Sequence, residues 1–208
     1  MSVATAPIQV HRPLPPEEAA RGDFYALLAR LLHGGANDGV LAALANADRI
    51  PEDGNPDLSA AWDALTQASS VMDADATALE FDTLFSGVGK ALVSIYAGYY
   101  TGALAIDHPR VRLQADFAAF GVERLEQTEP EDHFATLFDV MRVLVAGGAG
   151  RAPAPLAEQR RFFEAYLATG APKFFRAVIA CGEANYFRTV AALGLAFIAI
   201  ELESFELD

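Results

Sequence analysis

Apolar residues return at intervals of three and four along most of this chain, and the strictest stretch constrains the fold first. After Pro130, the positions Phe134, Leu137, Phe138, Met141, Leu144 and Val145 stay on one side of a 3.6-residue helix until Gly147 and Gly148 interrupt it. Phe24, Leu27, Leu28 and Leu31 repeat the spacing behind Pro15, Pro16 and the first-turn acids Glu17 and Glu18, with Gly34 and Gly35 as the stop. A further stripe opens at Asn55, Pro56 and Asp57 and runs through Leu58, Ala61, Trp62, Leu65 and Met72. Between these, Val40, Leu41 and Leu44 predict a short helix that ends before Pro51.

The second half reads the same way. Phe162, Phe163, Tyr166 and Leu167 predict one helix, and Phe174, Phe175, Val178 and Ile179 another, with Gly170 and Pro172 separating them. Residues 185–201 predict a last helix, apolar on most faces through Tyr186, Phe187, Val190, Leu193, Phe197 and Ile198, and therefore central. No alternating strand pattern competes. The expected fold is all-α, a multi-helix bundle in a single domain spanning residues 1–208. Within it, residues 1–14 are expected to be disordered. Helical blocks 15–146 and 156–208 are joined by the Gly/Pro segment 147–155, which reads as a hinge and would permit domain swapping.

Composition narrows the function classes. A formal charge of −13 and a pI near 4.6 disfavour a partner held through phosphates and suit a basic peptide or protein. The longest apolar stretch, residues 190–200, is far shorter than the roughly 20 residues a membrane span needs. Residues 1–10 lack the basic start and apolar run of a secretory signal, so the expected location is the cytoplasm. The lone Cys181 lies among apolar neighbours, where an inert thiol is expected.

Catalytic and metal motifs fail on inspection. Ser86-Gly87-Val88-Gly89-Lys90-Ala91 imitates a phosphate loop, but Leu84 stands where that motif needs glycine and Ala91 where it needs Ser or Thr. The glycines instead suit the end of a helix carrying Phe81, Leu84 and Phe85. Ser94, Asp132 and His133 lack a nucleophile elbow and an oxyanion loop. His11, His33, His108 and His133 are scattered without metal-ligand spacing, so neither metal nor cofactor is expected. Glu129-Pro130-Glu131-Asp132-His133 gathers three carboxylates and an imidazole at the first turn of the strongest helix, where acids complement the dipole and Asp132 or Glu129 suits a cap.

Two segments together resemble a known family. Glu80-Phe81-Asp82-Thr83-Leu84-Phe85-Ser86-Gly87-Val88-Gly89 looks like an aromatic-x-x-Leu-Phe motif, and Glu129-Pro130-Glu131-Asp132-His133 like a Glu-Pro-x-Asp-His motif. In this order and separation they are similar to the signatures of the TorD/DmsD/NarJ family of redox-enzyme maturation chaperones. Ser94 and Tyr96, residues 159–167 and residues 186–201 add to the likeness, which covers about residues 17–201. The chain departs from the pattern after Leu167, where a Pro-Trp pair is replaced by Ala168-Thr169-Gly170-Ala171-Pro172-Lys173, and at Val93, where an acid commonly precedes the serine.

The resemblance implies a non-enzymatic chaperone that binds the twin-arginine signal peptide, the apo-form of a molybdenum-dependent oxidoreductase, or both, before export. Such a leader presents two guanidinium groups and an apolar stretch. Glu129 and Asp132, with Glu131, are expected to accept charge-assisted hydrogen bonds from the arginines, each worth roughly 1.5–3 kcal/mol when shielded from water. His133 is expected to orient that loop or contact peptide backbone, and both Asp132 and His133 are expected at the surface. Phe81, Leu84, Phe85 and Tyr96 are the candidate apolar groove, although helical spacing gives Leu84 and Phe85 a packing role first. Arg160 and Arg161 lie mid-helix and are no leader. The competing readings are a small helical enzyme or nucleotide-binding protein using the acidic loop, and a helical scaffold that pairs with a partner subunit through the Phe-rich second block. The client and the choice between monomer and dimer, domain-swapped or not, are left open, as is binding of a guanine nucleotide.

Overall fold

Asparagine and aspartate side chains start several of the early helices. The computed structural model describes residues 14–51, 54–86, 91–101, 113, 116, 132–148 and 151–207; residues 1–13, expected to be disordered, lie outside them. Helix α1 (Pro16–Leu31) begins at its proline pair, where a missing N–H costs nothing. In α2 (Asp38–Ala45), α3 (Pro56–Ser69) and α4 (Ala74–Phe81), the side chains of Asn37, Asn55 and Asp73 accept backbone N–H groups at 3.0, 2.9 and 2.8 Å. A π-helical turn, Asp82–Ser86, continues α4. The glycines expected to end this helix, Gly87 and Gly89, lie outside the described residues.

After the short α5 (Gly98–Thr101), α6 (Phe134–Ala146) covers the predicted periodic stretch and ends at Gly147, whose φ of 74° suits glycine. It is followed by α7 (Leu156–Tyr166), α8 (Gly170–Ala180) and α9 (Tyr186–Leu207). Gly170 and Pro172, expected as a separator, belong to the first turn of α8, where proline lacks only an N–H that would have no partner within the helix. The last helix also runs beyond the predicted end at residue 201. Among the described residues there are no strands, only isolated antiparallel bridges.

Helix α1 packs along α6, and α9 packs against α8 and α3. Both halves of the chain contribute to one hydrophobic cluster, from Tyr25 and Leu28 through Phe134 and Phe138 to Phe174, Phe175 and Phe197. The tightest approach is at Gly194 of α9, where an added Cβ would stand 2.3 Å from the Phe175 ring. The Phe-rich second block contributes to this core, with Phe162, Phe163, Phe174 and Phe175 all buried, so these four rings are not presented to a partner. Among the described residues of the segment expected as a hinge, Gly148 and Arg151 exchange two backbone hydrogen bonds, and Ala154 donates to the Leu144 carbonyl at 2.8 Å.

A buried ion pair joins the halves. Arg21 of α1 holds both carboxylate oxygens of Glu201 on α9 at 2.8 Å, a forked geometry. Tyr25 donates its hydroxyl to the same carboxylate at 2.7 Å, and Glu18 and Gln159 complete the contacts of Arg21. Burial opposes the charge on Arg21, but Glu201 and then Glu18 hold it more firmly protonated than a free arginine. Burial, reinforced by Glu201, pushes the Tyr25 hydroxyl well above its ordinary pKa.

Candidate functional site

The two sequence segments meet through backbone first. Tyr96 and His133 form an antiparallel bridge in which Ala97 donates to the Asp132 carbonyl at 2.8 Å and Phe134 to the Ile95 carbonyl at 3.1 Å. In this pairing the facing side chains stand close together. The Tyr96 and His133 rings accordingly pack edge to face, with centroids 5.5 Å apart. Tyr100 steadies the strand-like segment by donating its hydroxyl to the Ser94 carbonyl at 2.7 Å, and burial raises the pKa of that hydroxyl, with Tyr99 adding to the effect.

His133 also starts α6. Its Nδ1 accepts the N–H of Ala135 at 3.2 Å, so the cap expected from Asp132 or Glu129 is supplied by the imidazole. That bond requires an unprotonated Nδ1, which puts the ring proton of the neutral side chain on Nε2. A triad histidine has the opposite polarity at Nδ1, donating to its acid. The geometry therefore disfavours a hydrolase at Ser94, Asp132 and His133.

The other wall comes from α4 and the π-helical turn. The turn directs Leu84 and Phe85 inward and leaves Asp82 and Thr83 outside. Phe81 and Phe85 meet at 5.1 Å, and Phe187 of α9 backs them at 5.8 and 5.3 Å. Between this wall and the bridged segments lies a cavity of about 380 Å³ lined by His33, Phe81, Phe85, Ser86, Ile95, Tyr96 and His133.

The structure thus gathers Phe81, Phe85, Tyr96 and His133 around one cavity and corrects other expectations. Leu84 is fully enclosed in the core and does not line it. Asp132 and His133, expected at the surface, are 1% and 3% exposed. The backbone bridge draws Asp132 and His133 against residues 95–97, and the first five residues of α6, Phe134 to Phe138, are all buried. An enclosed Asp132 carboxylate cannot meet an external guanidinium unless the turn opens. Glu129 and Glu131 lie outside the described residues. Sequence reasoning missed His33, Ser86 and Ile95 as lining residues. Ile95 sits between the quoted Ser94 and Tyr96, whereas His33 gave no signal beyond its place before the glycine stop of α1.

Comparison with known proteins shows the family of the chain. A family model described as nitrate reductase delta subunit matches residues 52–176, more than half of the chain and a span that contains both bridged segments. The chain belongs to the nitrate reductase delta subunit family. This is the NarJ/TorD type of redox-enzyme maturation chaperone, whose members are chaperones and not catalysts. Among solved structures, a protein from Archaeoglobus fulgidus assigned as a redox enzyme maturation protein superposes with a TM-score of 0.56 at 15% identity, covering 92% of this chain and 98% of that one. At that identity the likeness supports the all-helical fold alone. No curated protein sequence matches. Among the described residues, no helix is long and apolar enough to cross a membrane.

Proposed function

We propose that this chaperone holds the signal peptide of its client in the cavity between the π-helical turn and the Tyr96–His133 bridge, with the apolar part of the peptide as the inserted portion. The observation that carries this reading is the lining. Phe81, Phe85, Ile95 and Tyr96 give it apolar surface, while Ser86, His33 and His133 add polar atoms without a carboxylate among the described lining residues. Such a cavity suits a hydrophobic side chain with polar backbone on either side, gaining about 25 cal/mol for each Å² of apolar surface covered.

Glu129 and Glu131 are the proposed acceptors for the arginines of a twin-arginine leader, on grounds of sequence position alone. Asp132 serves chiefly to build the turn and reaches the leader only if the turn opens. His133 orients the turn through its cap and meets the peptide backbone. The client is a molybdenum-dependent oxidoreductase met before export, in the cytoplasm, and the chaperone acts by binding without chemical change.

Isothermal titration of a twin-arginine leader tests the cavity directly. Phe81→Ala and Tyr96→Ala are each expected to weaken binding by about tenfold, close to 1.4 kcal/mol. Unchanged affinity in both folded variants would remove the cavity from the binding role. A leader with its arginines replaced by glutamine separates the two parts of the reading, because the apolar contribution should survive that change.

A further inference from the structure

Glu80 is the last residue before the aromatic wall, yet its carboxylate serves a helix other than its own. One oxygen accepts the backbone N–H groups of Asn185 and Phe187 at 2.8 and 2.9 Å, and the other accepts that of Tyr186 at 3.0 Å. These groups open α9, where orphan donors and the helix dipole both favour a negative charge. The same end of α9 carries the Phe187 ring that backs Phe81 and Phe85. Glu80 therefore pins the end of α4, just where the π-helical turn departs, to the start of the C-terminal helix.

We infer that Glu80 is a positioning residue of the cavity: by capping α9 from α4 it fixes the register between the two helices and keeps Phe81 and Phe85 as a preformed wall. A carboxylate fits this role better than an amide. Donors converge on both of its oxygens, whereas glutamine offers one acceptor oxygen and turns an NH₂ group toward the remaining N–H. A preformed wall favours binding because the ligand need not order those rings itself. The importance for binding rests on the cavity reading above, but the pinning of the wall is measurable without any ligand.

The experiment compares Glu80→Ala and Glu80→Gln with Tyr25→Phe, which loosens the remote Arg21–Glu201 cluster. Protein labelled with para-fluorophenylalanine is examined by fluorine NMR, the Phe81 and Phe85 signals being assigned by replacing each with leucine. Both signals are expected to lose their wild-type positions in Glu80→Ala, to shift partway in Glu80→Gln and to stay in place in Tyr25→Phe. Leader affinity is expected to fall in the same order, by about tenfold in Glu80→Ala. If Glu80→Ala does not fold, the glutamine variant decides. Wild-type Phe81 and Phe85 signals in a folded Glu80 variant would overturn the inference and leave Glu80 as a helix cap only. Signals that move as expected, in a protein whose wild type binds no leader, would uphold the positioning role and sink the binding reading instead.

Discussion

The Arg21–Glu201 cluster and the Tyr96–His133 pair both take polar groups out of water, and they do so to different ends. In the cluster, a forked ion pair, a tyrosine hydroxyl, a second carboxylate and an amide satisfy one another across α1, α7 and α9. Its groups face each other. At the bridge, two rings are held by backbone hydrogen bonds and a cap, and they border a cavity of about 380 Å³. The first arrangement ties α1 to α9 across the chain, whereas the second lies along the wall of the candidate cavity. Burial alone does not distinguish the two, since Glu201 and His133 are almost equally enclosed, at 1% and 3% exposure.

The contrast can be broken at its strongest point by Glu201→Ala. Stranding Arg21 and Tyr25 should lower stability by about 3–5 kcal/mol in urea titrations, while the folded fraction keeps its leader affinity. Loss of affinity in that fraction would mean that the two regions are coupled.

His133 divides cap from contact. His133→Asn keeps a side-chain acceptor at the start of α6 and should cost less stability than His133→Ala, yet weaken leader binding by about tenfold. His133→Ala should show the same binding loss and an added loss of about 1 kcal/mol in stability. Equal affinity for wild type and the asparagine variant would make His133 a cap alone.

Tyr25→Phe sharpens the other side and carries a pH signature. Removing the hydroxyl should cost about 1 kcal/mol near neutrality. Burial raises the Tyr25 pKa in the folded state above its ordinary value of 10.0. The unfolded chain therefore releases this proton first, and the stabilisation, complete below about pH 10, fades as pH climbs toward the folded-state value. The gap between wild type and Tyr25→Phe should narrow in urea midpoints measured above about pH 10. Tyr100 and Tyr186, also raised by burial, keep some alkaline destabilisation in the variant. The smallest effect is expected from Arg160→Ala, whose partner Glu164 is exposed at 2.8 Å, with a change below about 0.5 kcal/mol and no effect on binding.

Much of the fold was legible because helices announce themselves locally. The stripe from Phe134 to Val145, the Asn55-Pro56 start and the stop after α1 each lie within a few residues of the structure they set. The site was legible in part. Phe81, Phe85, Tyr96 and His133 belong to segments whose pattern stood out, and they do meet. The exposure assigned to Asp132 and His133 failed, because polarity predicts a surface position only until backbone pairing pulls the turn inward. The π-helical turn also escaped notice, since its residues keep a spacing that an ordinary helix would share.

By itself, then, the sequence determined which segments become helices, where most of them start and stop, and which side of each is apolar, because turns, caps and periodicity act over three or four neighbouring residues. Only the tertiary structure decided that Glu201 answers Arg21 across 180 positions, that Glu80 caps α9 from 105 to 107 positions away, and that His133 looks into a cavity. Those choices depend on which helices lie side by side, and a charge or a ring carries no mark of its distant partner until packing brings the two within a few ångströms.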